Sequence, residues 1–215
     1  VDQREVGRGK WISLPGDITD TETRQRIAGV IAADAGDRLD LLVNNAGIGA
    51  IGPFAEASES RMRKIMEVNF FAPVELTRLL LPALARSDDA VICNVGSVLG
   101  HRAVPDKSEY CASKFALHGW SDSIRAELAD TTIAVTLVSP STTSSEFFES
   151  LVETDSGAGS KSIGSWSPEK VADATLDASK RRRAEVILSA GGKALVYADR
   201  LCPPLMNVAL RKRAD

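Results

Sequence analysis

Cysteine is scarce in this chain, with three among 215 residues at Cys93, Cys111 and Cys202. They are too few and too irregularly spaced for a disulfide framework or a metal-ligand pattern. They read as reduced thiols, which points to a cytoplasmic setting. Histidine is scarcer still, limited to His101 and His118. A serine hydrolase is therefore remote, because Ser97 lacks a nucleophile elbow and the choice of a histidine base is so narrow. No uninterrupted apolar run is long enough to span a bilayer. The richest, Leu76 to Ala85, is broken by Arg78 and Pro82. Positive charge is not in excess either; the net charge of -3 argues against a nucleic-acid binder. The opening Val1-Asp2-Gln3-Arg4-Glu5 is neither a signal peptide nor an initiator sequence, so the chain is expected to begin inside a longer protein.

What is present fits one soluble globular domain with a sizeable core, since 44% of residues are apolar and 26% charged. The mild net charge hides an asymmetry. Residues 1–175 carry 17 Lys and Arg against 25 Asp and Glu, whereas residues 176–215 carry 9 against 4. The C-terminal end is thus a basic surface on an acidic body. Hydrophobic patterning predicts strands at Lys10–Leu14, Leu39–Val43, Ala90–Val95, Ile133–Val138 and Ala184–Leu188. Helices are predicted at Thr21–Ala35, Ser58–Arg86 (bent by Pro73 and Pro82), Ser108–Ala129 and Glu169–Arg182. Residues 143–167, rich in Ser, Thr and Gly, read as a mobile loop. Such alternation predicts an α/β layered fold with a mostly parallel sheet. No internal repeat or linker interrupts it.

The sharpest chemical proposal comes from Tyr110 and Lys114, four residues apart, with Ser97 thirteen residues upstream. On a helix that spacing places both side chains on one face. A lysine ammonium there is expected to favour ionisation of a tyrosine whose ordinary pKa is about 10, bringing it into use as an acid or base. A serine hydroxyl alongside can hold a substrate oxygen while the proton moves. Taken alone, the pair could equally be a half-buried tyrosine and a solvated lysine. His101 lies close by in sequence, and a solvated loop histidine without a catalytic role is the reading adopted for it.

Further segments fall into register with this trio: Leu42-Val43-Asn44-Asn45-Ala46-Gly47, then Val68-Asn69, Asn94-Val95-Gly96-Ser97, and Ser139-Pro140-Ser141. Separations of 25 residues from Asn44 to Asn69 and 28 from there to Ser97 complete the pattern. Over nearly its whole length the chain resembles the short-chain dehydrogenase/reductase family. The resemblance implies a Rossmann-like doubly wound parallel sheet and an oxidoreductase using NAD or NADP on an alcohol or carbonyl. It implies Tyr110 as general acid or base, Lys114 lowering its pKa and binding the nicotinamide ribose, and Ser97 binding the substrate oxygen. Asn69 would hold a water for proton relay. Asn44, Ala46 and Gly47 would line the cofactor, Asp17 and Ile18 would contact the adenine, and Pro140 and Thr143 would flank the nicotinamide. The helices over 58–86 and 108–129 would form the surface of a homodimer or homotetramer.

The chain also departs from the family. Gly47-Ile48-Gly49-Ala50-Ile51-Gly52 matches G-x-G-x-x-G, but Pro53-Phe54 follows where a helix should open, so it is not a phosphate-binding turn. The family's own glycine-rich phosphate loop has no counterpart before Lys10. Either the sequence is a portion of a longer protein, the reading favoured here, or it is a truncated variant unable to bind a dinucleotide normally. In the second case a non-catalytic scaffold or binding protein is the alternative function. Ser141 stands where glycine is usual, and Gly96 where serine is common. The basic, partly apolar segment Lys193–Arg213 is expected to pack on the substrate pocket or another subunit, with weak membrane-surface contact as an alternative. Neither the substrate nor the choice between NAD and NADP is written in these residues.

Overall fold

The computed structural model describes residues 12–141, 151–154 and 166–211. Four parallel strands, β1 (Leu41–Asn44), β2 (Val91–Val95), β3 (Ala134–Ser139) and β4 (Glu185–Ile187), lie side by side in chain order. Parallel neighbours require crossovers, and each crossover here carries a helix. The helices are α1 (Thr21–Asp34), α2 (Glu59–Met66), α3 (Ala72–Leu84), α4 (Ser108–Glu127), α5 (Pro168–Lys180), α6 (Ala190–Leu201) and α7 (Pro203–Arg211). The result is the α/β Rossmann-like architecture expected from the alternation of patterns.

Alternating side chains along the strands fill two apolar layers. Leu42, Ile92 and Val135 pack with Leu76, Leu80 and Leu84 of α3, joined by Ile27 and Ile31 of α1 and Ile124 of α4. Cys93 and Val138 point the other way and meet Ala178 of α5, together with Val171 and Ala174. Fully buried side chains such as Leu80, Leu84 and Ile92 each contribute about 1.5–3 kcal/mol by leaving water.

Two expectations need correction. Residues 12–14 are not a strand, and Lys10 and Trp11 lie outside the described residues. Among the described residues no strand stands beyond β1 to pair with such a segment. Among the described residues β1 is therefore an edge strand, with Val43 39% exposed. The long helix over 58–86 is two helices joined by a π turn at Glu67–Phe71. Pro73 explains the break: it has no amide to donate to the Asn69 carbonyl four residues back. The ladder widens instead, and the Ala72 amide reaches the Glu67 carbonyl. Most of the 143–167 loop lies outside the described residues. Its residues 151–154 sit against the segment after β1, where the Val152 amide donates to the Gly49 carbonyl at 2.9 Å.

Candidate active site

Because β1, β2 and β3 are parallel and adjacent, the segments leaving their carboxyl ends converge. Ala46 and Gly47 follow β1, Ser97 follows β2 and Pro140 follows β3. This is where open α/β sheets bind ligands. Ser97 keeps an extended backbone, and its Oγ accepts from the Leu99 amide at 3.1 Å, capping a 3₁₀ turn over Val98–Gly100. That turn lies flush on α4: a Cβ at Gly100 would stand 2.7 Å from the Lys114 carbonyl oxygen. The Val98 amide donates to the Pro140 carbonyl at 2.9 Å, fastening the turn to the end of β3. Ser97 is thereby delivered to the face of α4 that carries Tyr110 and Lys114.

The Ser97 hydroxyl lies near enough to the Tyr110 hydroxyl to favour its ionised form. Burial pushes the Tyr110 pKa up to about 12, a rise that the Ser97 hydroxyl opposes. Lys114 is 4% exposed, and burial pulls its pKa down to about 8. Its Nζ donates to the Val95 carbonyl at 2.9 Å and lies 5.8 Å from the Tyr110 ring centroid. The expected lowering of the Tyr110 pKa by Lys114 is therefore not seen. Desolvation dominates, and the ammonium is turned toward the end of β2.

Asn69 ties two segments together through its side chain. Its Oδ1 accepts from the Ile48 amide, and its Nδ2 donates to the Ile48 carbonyl and to Ser113 Oγ, each at 2.9 Å. Ser113 Oγ in turn donates to the Tyr110 carbonyl at 2.8 Å. A single amide thus ties the segment after β1 to the first turns of α4. Gly47 lies between them, since a Cβ there would stand 3.3 Å from Asn69 Oδ1 and 3.6 Å from Lys114 Nζ. Asn44 is buried within the sheet, where its Nδ2 donates to Asn94 Oδ1 at 2.8 Å and Thr77 Oγ1 at 3.1 Å. Its side chain supports the sheet. Asp17 caps its own turn by accepting from the Thr19 amide and hydroxyl, which hold its carboxyl below the usual range. Ile18 packs on the apolar layer beneath α1 and α3. Thr143 lies outside the described residues.

Two features escaped the sequence patterns. Arg61 of α2 and Glu109 of α4 form a buried ion pair, with Arg61 Nη2 and Nε donating to Glu109 Oε1 at 2.7 and 3.0 Å. The pair fixes the residue next to Tyr110, and Arg61 Nη1 also reaches the Glu153 carbonyl at 3.3 Å.

His101 is not a solvated loop residue: its side chain is 2% exposed. It lies 2.8 Å from Ser139 Oγ and 3.4 Å from Arg200 Nη2, and its ring centroid is 4.3 Å from that of His118. Burial, then the charges of His118 and Arg200, outweigh Asp122 and bring its pKa down to about 4. The unfolded chain then binds a proton near pH 6.5 that the fold refuses until about pH 4. Stability is thus complete above the first value and is lost as pH falls between the two. From about pH 7 to about pH 5 the wild type is expected to lose about 2 kcal/mol more than His101→Gln. Urea denaturation of both proteins at each pH measures this. Equal slopes would show that His101 is not held neutral.

A short chain dehydrogenase family model matches residues 2–156. The chain belongs to the short-chain dehydrogenase family. It is 35% identical over 181 residues to the ketoacyl reductase HetN of a Nostoc species, covering 84% of this chain and 62% of that protein. It is 33% identical over 183 residues to dehydrogenase/reductase SDR family protein 7-like of Drosophila melanogaster, covering 83% and 56%. The chain therefore spans roughly three-fifths of the length of these relatives. A solved short chain dehydrogenase of Burkholderia cenocepacia, in complex with NADP, superposes with a TM-score of 0.76 at 28% identity. That match covers 92% of this chain and 77% of the other. A second, from Streptomyces avermitilis, gives a TM-score of 0.74 at 27% identity, covering 92% and 78%. The family is one of oxidoreductases, and Ser97, Tyr110 and Lys114 gather in this member at the carboxyl end of its sheet.

Proposed function

We propose that this chain carries the proton-transfer half of an oxidoreductase site that interconverts an alcohol and a carbonyl with NAD or NADP. The observation that carries the reading is the convergence of Ser97 and Tyr110, with the buried Lys114 amine 5.8 Å from the Tyr110 ring. The donor set fits the nicotinamide end of such a cofactor. A lysine cation, a phenol and a serine hydroxyl meet beyond the strand ends, with Ala46, Gly47 and Pro140 bordering the space. Tyr110 and Lys114 would hold the ribose, and the bound cofactor would supply or accept the hydride. The protein's own work is on the proton. Ser97 donates to the substrate oxygen, and Tyr110 delivers its phenolic proton there in reduction and removes it in oxidation. Lys114 offsets the charge left on the phenolate.

Three observations support the wider reading. One relative is named a ketoacyl reductase, and one structural neighbour holds NADP. The cysteines are free, with Cys93 and Cys111 buried and Cys202 exposed, which suits a reducing, cytoplasmic compartment. Exposed Met62, Phe71, Leu79 and Phe115 along α2–α4 suit association of copies through that face.

The test is calorimetric titration with NADH and NADPH, followed by cofactor oxidation with a panel of aldehydes, ketones and ketoacyl thioesters. It is run on the 215-residue chain and on the full reading frame. Binding and turnover by the full form are expected. Absence of binding by both would replace the reductase with a scaffold that keeps the fold and not the chemistry.

A further inference from the structure

α6 exposes Tyr197 and Leu201, and α7 exposes Leu205 and Val208, each pair at helical spacing on its own helix. The apolar stripe breaks at Cys202 between them, and the four residues are 50, 86, 64 and 50% exposed. The opposite side of the same segment is fastened down. Val196 and Leu210 are buried, and Arg102 donates to Asp199 Oδ1 at 2.8 Å and Asn207 Oδ1 at 2.6 Å. The stripe is therefore turned outward by helices anchored on their inner face. Lys193 and Arg211 stand exposed at its two ends, and Asp199, the sole acid of α6 and α7, is neutralised by Arg102.

Charge decides what can cover this stripe. α6 and α7 expose Lys193, Arg200 and Arg211, and their one acid, Asp199, is held by Arg102. A second copy docking here in a symmetric pair would set like charge against like charge. An anionic lipid surface offers an opposite charge together with an apolar layer, and among the described residues no helix is long and apolar enough to cross a bilayer. We propose that the α6–α7 face rests on anionic membrane surface. Leu201 and Leu205 enter the acyl boundary, Tyr197 sits at headgroup depth, and Lys193 and Arg211 contact the headgroups. Arg102 leaves the turn that Ser97 caps, so the docked face is mechanically joined to the wall of the candidate active site.

Co-sedimentation of the 215-residue chain with vesicles tests the idea, using phosphatidylcholine alone and phosphatidylcholine mixed with phosphatidylserine. Binding is expected to the mixed vesicles only, and to weaken in high salt. The double variant Leu201→Ser/Leu205→Ser should lower the bound fraction at least about tenfold. The variant Lys193→Gln/Arg211→Gln should weaken it about fivefold per charge removed. Binding that ignores lipid charge and salt, or no binding to either vesicle, would overturn the proposal. So would sedimentation in the absence of lipid showing a dimer that Leu201→Ser/Leu205→Ser dissociates, because the stripe would then belong to a second copy.

Discussion

Tyr110→Phe is expected to lower the rate of carbonyl reduction by about 10²–10⁴-fold, the usual contribution of a positioned general acid. The fold should survive the change. The lost hydroxyl gives up its interaction with Ser97, so stability should fall by about 1 kcal/mol. Cofactor should bind more weakly by about the one ribose contact the hydroxyl supplies, about 0.5–1.5 kcal/mol, so saturation is checked for the variant. Steady-state kinetics with saturating cofactor, read beside a melting curve, separate a chemical loss from a structural one. Undiminished turnover would remove Tyr110 from the proton-transfer step. The pH profile adds a second readout. Tyr110 stays protonated up to about pH 12, so its own ionisation does not limit reduction near neutrality. Lys114 discharges at about pH 8, and with it goes the cation that offsets a phenolate. In the wild type kcat/KM for reduction is therefore expected to be flat below that value and to fall above it. Lys114→Met should show a low, flat profile.

The parts of this site that were legible in the sequence are those joined by short-range geometry. Tyr110 and Lys114 are one helical turn apart, so their common face follows from spacing alone. The parallel strands announced themselves as short apolar runs between helical patterns, and their shared end brings Gly47, Ser97 and Pro140 together. What escaped depends on pairings across long separations. Arg61 and Glu109 are 48 positions apart, and each reads locally as a charge on a helix surface. One signal was available: Arg61 precedes Ile65 by four residues, so it lies on the face that buries Ile65. His101 was misjudged for the same reason, because Ser139, Glu185 and Arg200 arrive from β3, β4 and α6 to enclose it. The direction of the Lys114 side chain is likewise no property of the spacing. Burial and the Val95 carbonyl decide it together.

Glu109→Ala is expected to destabilise the protein by about 3–5 kcal/mol, as removal of one partner from a buried ion pair generally does. Arg61 is 4% exposed and would keep its charge, with one carbonyl contact at Glu153 left to meet it. In the wild type, burial works to raise the Glu109 carboxyl. Hydrogen bonds from Arg61 and Ser108, with the Arg61 charge, outweigh it and hold the group below the ordinary carboxylate range. A carboxyl depressed in the fold stabilises above its unfolded pKa and loses that contribution as pH falls toward the folded value. Glu109→Ala should therefore lack that part of the wild type's stability loss in acid. The double variant Arg61→Met/Glu109→Leu isolates the charge: with neither ion buried, it should recover most of the lost stability. Activity distinguishes support from positioning. Glu109 adjoins Tyr110, and Arg61 also reaches the 151–154 segment, so the refolded double variant should keep cofactor affinity while turning over more slowly. Recovery of full turnover along with stability would show that the pair holds α2 to α4 and has no part in aiming Tyr110.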